Sequence, residues 1–397
     1  MIPMRSDAAR LTLAAALLMA LTMGQRSSFG LFLSPLNTAT GLGLAAISLA
    51  AAIGHLAWGA SQPFVGAAAD RYGARRVISL GALALAASTA AVLAAESMAG
   101  LALVLCLVAV AGSAAGSNGL LLGAIAQRVP AAQRAIATGI VSAGGSAGQL
   151  LIGPATQATI DHAGWTFAML ASAALCLLGL PLARAFRQHT PAAQAQGDAG
   201  QAVRDALRRP HFWSIALSFA MCGFHVSFLV MHMPGVIAAC GMSGAFAGAW
   251  LAVLGVANIA GSVAVGALMP RFGAAPVLTL LYVARSLGIV LFLILPSTPE
   301  VLVGFAVWMG ASYMATLPPT AALVAQRYGT SRMATLIGVV MMVHQVGAFA
   351  GAWLGGVVFE ATGSYDPLWV AGACLAVVAA LLHVPGWRAG SRVPAPA

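Results

Sequence analysis

Residues 66–77 read GAAADRYGARRV, and residues 266–277 read GALMPRFGAAPV. The second stretch begins 200 residues after the first and keeps Gly66, Arg71, Gly73 and Val77 as Gly266, Arg271, Gly273 and Val277. Both are short polar turns between long apolar runs. A shift of 199 aligns Gly24, Ser28, Phe29 and Pro35 with Gly223, Ser227, Phe228 and Pro234. The same shift aligns Gly139, Gly148 and Gly164 with Gly338, Gly347 and Gly363. Matches this far apart, at one nearly constant offset, mark an internal duplication.

The duplicated unit is a set of apolar runs. Twelve occur, at about 11–36, 44–66, 77–95, 99–125, 135–158, 164–185, 211–238, 246–268, 275–296, 300–325, 333–359 and 366–386. Each is close to the ~20 residues that cross a bilayer core as a helix. The chain is 60% hydrophobic and 7% charged, against about one quarter charged in a soluble domain. Backbone groups in lipid must bond internally, so runs of this length are helices. The expected fold is an all-α membrane protein with twelve transmembrane helices in two duplicated six-helix bundles. The first run is too long for a signal peptide and reads as a retained helix. The polar, Ala/Gln/Pro-rich stretch RQHTPAAQAQGDAGQAVRDALRRP reads as the linker. The division is therefore 1–186, a cytoplasmic linker 187–210, and 211–397.

The net charge of +10 does not indicate nucleic-acid binding. All 19 basic residues are arginine. Seventeen sit at the termini or in even-numbered connections, among them Arg5, Arg10, Arg71, Arg75, Arg76, Arg128, Arg134, Arg187, Arg204, Arg208, Arg209, Arg271, Arg327, Arg332, Arg388 and Arg392. The odd-numbered connections carry only Glu96, Asp161, Glu300, Glu360 and Asp366. That asymmetry places both termini in the cytoplasm. Five cysteines, scattered through apolar runs, suggest neither a metal site nor a disulfide framework. No nucleophile–base constellation points to an enzyme, and no cofactor is implied.

The 66–77 stretch resembles the loop signature of the major facilitator superfamily, roughly G-x-x-x-D-R-x-G-R-R. The twelve runs, the duplication and the central linker fit that family along the whole chain. The resemblance implies a substrate site near the membrane midplane, lined by spans 1, 4, 7 and 10 with help from 2, 5, 8 and 11. It also implies a gating loop made of Gly66, Asp70, Arg71, Gly73, Arg75 and Arg76. There the glycines permit a tight turn and close approach, and Asp70 can cap the next helix or pair with Arg71, Arg75 or Arg76. The second copy has Pro270 in place of Asp70.

Charges at membrane depth are costly and mark function. Arg26 lies in TMGQRSSFGLF (22–32), in the middle of the first run. Under the 199 shift it aligns with His225, so the two are expected to face one cavity at similar height. Arg26 is read as an anchor for an anion, because a guanidinium stays charged and grips a carboxylate with two bonds. Ser28, Asn118, Tyr313, His344, Gln345 and Arg285 complete the expected substrate-binding set, with Arg285 an awkward member in a peripheral span. His55 and His232 also lie in the runs. All nine acids are at termini, loops or helix ends. The expected substrate is therefore an anion, and a coupled proton would ride on His225 or His344. GIVSAGGSAGQLLIGP (139–154) and GAFAGAWLGG (347–356) read as small-residue packing faces. Pro318 and Pro319 should bend the tenth span below Tyr313.

GQRSSFGLFLSPL, ALRRPHFW and HQVGAFAGAWLGGVVFEATGSY are similar to segments of bacterial members of the monocarboxylate transporter and oxalate:formate antiporter group. The chain departs from that group in span eight, which carries no charge, and in span eleven, where His344 stands near the depth of the antiporters' lysine. The resemblance implies a secondary transporter in the cell (inner) membrane. It would move a small monocarboxylate by alternating access with proton symport, and is expected to work as a monomer. Two other readings remain: export of a hydrophobic or zwitterionic compound, and a membrane sensor on a transporter-like scaffold.

Overall fold

A computed structural model describes residues 6–186, 199–329 and 333–386. Arg5, Arg187, Arg332, Arg388, Arg392 and the first part of the linker lie outside the described residues. Every regular element among the described residues is a helix. Eleven segments are long and apolar enough to cross a membrane. One of them, Ile136–Phe186, is 51 residues long, more than twice a single crossing. Gly164 interrupts it with φ +82°, so the segment is two spans and the total is twelve. Exposed side chains such as Phe64 (76%), Leu80 (68%) and Val263 (70%) cover the helix surfaces. A soluble fold would bury them, whereas lipid is their natural solvent.

The duplication is written into the backbone. Left-handed glycines recur in pairs: Gly41 with Gly241, Gly73 with Gly273, and Gly164 with Gly363. Each ends one helix and admits the next at a conformation that a side chain resists. Gly73 thus serves the turn as expected. Gly66 does not: it lies inside the helix Leu44–Tyr72, and nothing approaches it within 4 Å.

Spans four and ten are both broken. The helices Met98–Gly116 and Asn118–Arg128 meet at Ser117, which is extended with ψ 154°. Pro299–Ser312 and Leu317–Tyr328 are separated by a turn, and Pro318 and Pro319 open the second helix. Proline tolerates the first helical turn, where its missing N–H costs nothing.

The small-residue faces pack as expected. A Cβ on Gly144 or Gly148 would strike the carbonyl oxygens of Ala16 and Ala20 in span one. A Cβ on Gly347 or Gly351 would strike those of Ala220 and Phe224 in span seven. Spans one and five, and spans seven and eleven, therefore meet backbone to backbone.

By packing, the chain forms two compact units. One is Met1–Gln194 with Val230–Gly255, and the other is Ala195–Leu229 with Val256–Ala397. The border differs from the linear division at 187–210, because Val230–Gly255 packs with the first six spans. The space beside Gly30 is filled by the backbone of Val230 and Met231, and that beside Gly153 by Leu251. The described part of the linker carries a helix. Ala199–Leu207 is an amphipathic helix. Its Ala206 is buried with Phe212 and Ile215, and Val203 packs against the same cluster.

Candidate functional site

In the first unit the functional geometry centres on Arg26, near the C-terminus of the helix Ser6–Ser28 and half-buried. Its Nη2 lies 2.6 Å from Nδ1 of His55 in span two. An arginine only donates, so Nδ1 accepts and the imidazole carries its proton on Nε2. The guanidinium also sits over the Trp58 ring, 4.9 Å from its centroid. Trp58 is 6% exposed and also packs against Gly112 of span four, where a Cβ would come within 2.9 Å of the ring. Span two therefore holds the cation with one acceptor and one aromatic face. His55 and Trp58 sit one turn apart, which brings both to the same helix face.

Ser28 turns away from this group and donates to Gly24 O at 2.8 Å. Asn118 is half-buried at the start of the lower helix of span four. One turn before Arg26, the Thr22 hydroxyl donates at 3.0 Å to Gly116 O, the last carbonyl above the break.

In the second unit the expected residues gather in a buried seam. His225 is 3% exposed. Its Nδ1 is 2.6 Å from Met221 O and its Nε2 is 2.8 Å from Gly372 O in span twelve. A neutral ring can donate to only one of these carbonyls, whereas a doubly protonated ring donates to both. His225 thus cross-links spans seven and twelve, and its side chain points at span twelve. The alignment of His225 with Arg26 holds in sequence but not in side-chain surroundings.

Arg285 is 1% exposed. Its Nη2 donates to Ser312 O at 2.5 Å and Tyr313 O at 3.3 Å, and its Nε to the Ser312 hydroxyl at 3.5 Å. Those carbonyls are the ones that the break in span ten strips of helical partners. Asn258 completes the clamp: its Oδ1 accepts from Met314 N at 3.0 Å. The Cys222 thiol lies 3.1 Å from the Thr316 hydroxyl in the same turn. Arg285 and Tyr313 are therefore brought together, through the Tyr313 backbone. His344 is 8% exposed with its ring 4.6 Å from that of Phe219. Gln345 is buried beside it at 2% exposure.

In the gating loop, Arg71, Arg75 and Arg76 are exposed, and Arg71 lies over the Tyr72 ring at 5.3 Å. The side chain of Asp70 lies outside the described residues.

Trp58 and Asn258 are new to the site. Asn258 had a signal, as a lone amide in a span without charge. Trp58 had none beyond being an aromatic in an apolar run.

A bundle of twelve apolar spans, duplicated and broken at matching helices, defines a membrane transporter. The sequence profile described as Major Facilitator Superfamily matches residues 15–352 and 237–396. The chain belongs to that family. It is 27% identical over 375 residues to the uncharacterized MFS-type transporter YcxA of Bacillus subtilis (strain 168), covering 89% of this chain and 88% of the relative. It is 26% identical over 362 residues to Monocarboxylate transporter 13 of Bos taurus, covering 90% and 84%. The fold is similar to the partially occluded inward-open xylose transporter XylE from E. coli, with TM-score 0.75, 15% identity and 98% of each chain covered. It is also similar to an inward-facing bacterial homolog of the human lysosomal transporter Spinster, with TM-score 0.72, 18% identity and 100% of each chain covered.

Proposed function

We propose that this transporter is a secondary carrier of a small organic anion, of the monocarboxylate class, coupled to protons. It would lie in the inner membrane with both termini in the cytoplasm. The observation that carries the reading is Arg26, a permanent cation at membrane depth, oriented by His55 and Trp58. The bovine relative, a monocarboxylate transporter by name, supports the substrate class. The positive-inside asymmetry supports the orientation.

The pair also suggests how a proton enters. Protonation of His55 puts a donor at Nδ1, where Arg26 already donates, so the contact breaks and two cations face each other. A carboxylate that arrives between them accepts from both. Anion and proton then favour one another's binding, and the coupling is reciprocal. On this reading the proton step falls to His55 rather than to His225 or His344, because His55 is the histidine in contact with Arg26, whereas the His225 ring faces Gly372 O of span twelve and His344 packs on Phe219.

The test is counterflow in proteoliposomes with labelled monocarboxylates against labelled amines. Monocarboxylate exchange is expected for the wild type. Arg26→Ala should lose it by ~100-fold or more, since two charge-assisted bonds vanish. Arg26→Lys should recover only part, because an ammonium lacks the planar fork. Amine exchange, or full activity in the alanine variant, would overturn the reading. Replacing His55 with Gln should abolish accumulation driven by a pH gradient and leave counterflow intact. Gradient-driven accumulation at the wild-type level in that variant returns the proton step to His225 or His344.

A further inference from the structure

A cavity of about 160 Å³ opens at one end of the second unit. It lies among the starts of spans seven and nine and the ends of spans ten and twelve. The volume is far above the ~10–15 Å³ that admits one water. Its rim carries Arg327 and His211, both exposed, and Ser214. Its walls are apolar, with Ile215, Leu323 and Leu382 among them. The floor is His383, 3% exposed. Nε2 of this histidine lies 2.8 Å from the Ser218 hydroxyl, and its ring stacks on Tyr282 with centroids 6.0 Å apart.

Three features put this cavity at headgroup depth. Trp213, 40% exposed, donates its indole N–H to Leu207 O at 2.9 Å. It ties the amphipathic helix Ala199–Leu207 to span seven, and tryptophan favours the membrane–water boundary. Arg208 and Arg209 are exposed in the turn before His211. Leu280 (58%) and Leu381 (61%) stand exposed on spans nine and twelve, two of the helices that line the cavity. A cationic rim over apolar walls, next to lipid-facing helices, suits a phosphate that carries acyl chains.

We propose that this cavity binds the phosphate headgroup of an anionic phospholipid, with Arg327 and His211 as its ligands and the acyl chains lying along spans nine and twelve. The site is separate from the one centred on Arg26. Occupancy would brace the four helix ends around it through His383, Ser218 and Tyr282.

The test is thermal unfolding of the purified full-length protein in detergent with phosphatidylglycerol, phosphatidylcholine or inorganic phosphate added. It needs no transport, so its outcome is independent of the substrate reading. Phosphatidylglycerol is expected to raise Tm by about 3 °C over phosphatidylcholine, as ligand linkage requires. Arg327→Gln with His211→Gln should remove that difference. Both positions are exposed, so the double variant should fold. Arg71→Gln with Arg76→Gln, which removes two cations from the other half, should retain it. Equal effects of the two lipids, or loss in the Arg71/Arg76 variant alone, overturns the proposal. A full shift from inorganic phosphate alone overturns the lipid as occupant and assigns the cavity to the free ion.

Discussion

The two broken helices differ in how they are held. In span four the break at Ser117 is closed by one neutral contact, the Thr22 hydroxyl on Gly116 O. In span ten the turn after Ser312 is held from three sides. Arg285 takes the carbonyls of Ser312 and Tyr313, Asn258 takes the N–H of Met314, and Cys222 meets Thr316. Duplication kept the backbone device and changed its chemistry. A charged clamp buried in a low-dielectric interior is strong only while its geometry holds, so the second break is built to stay in one shape. The first break, held by a neutral bond, is expected to adjust more readily, and it adjoins the span that carries Arg26. This explains a peripheral arginine without asking it to touch substrate: Arg285 satisfies backbone that the membrane would otherwise leave bare.

The largest effect should fall where the halves agree. Gly148 and Gly347 each meet a carbonyl oxygen of the facing helix, and neither backbone can yield cheaply. Gly148→Ala and Gly347→Ala should both prevent the bundle from forming, so little monodisperse protein is recovered on size exclusion. Normal recovery of one variant but not the other would break the symmetry of the packing faces.

The next effect should separate the halves. Arg285→Ala removes charge-assisted donors from two buried carbonyls and leaves a hole. Relief of the buried charge offsets part of this, but each such bond is worth ~1.5–3 kcal/mol and the orphaned carbonyls cost more. The expected loss is ~3 kcal/mol, read as a lower unfolding midpoint. A variant as stable as the wild type would mean that the clamp contributes nothing, and that Arg285 is kept for a ligand.

Much of this was legible in the chain. Run lengths and arginine asymmetry carry the twelve spans, because lipid allows one solution for a long apolar segment. The offset matches foretold the paired turns at Gly73 and Gly273, where φ is positive. Pro318 and Pro319 marked the break in span ten. Arg26 stood out because nothing else in its run is charged. His55 was visible as a polar residue in the second run, but its pairing with Arg26 was not. His55 and Trp58 reach Arg26 from another helix, and sequence spacing carries no information about which faces of two helices meet. His225 has surroundings unlike those of Arg26 for a related reason: alignment transfers a position along a helix, while its side chain follows local acceptors, here Met221 O and Gly372 O. Arg285 was conspicuous, but its role needed the geometry of a different span. Gly66 matched the motif without needing its small size, since a helix interior with open space beside it tolerates a side chain.

The smallest expected effect is the sharpest test of the comparison. Thr22→Val keeps the branched shape that packs against Gly116, where a Cβ would lie 3.0 Å from the Thr22 methyl. It removes only the hydroxyl. The hydroxyl's single proton is shared between Leu18 O and Gly116 O, both 3.0 Å away, and a neutral bond of this kind contributes ~1 kcal/mol net. Thr22→Val should therefore lower the unfolding midpoint about a third as much as Arg285→Ala, in the same detergent and buffer. Thr22→Ser retains the donor but loses a methyl from a tight contact, so it separates bonding from packing. If the valine variant matches the wild type while the serine variant falls, shape alone holds the first break. If the valine variant falls as far as Arg285→Ala, the two breaks are clamped alike, and the asymmetry between a yielding first half and a rigid second half is wrong.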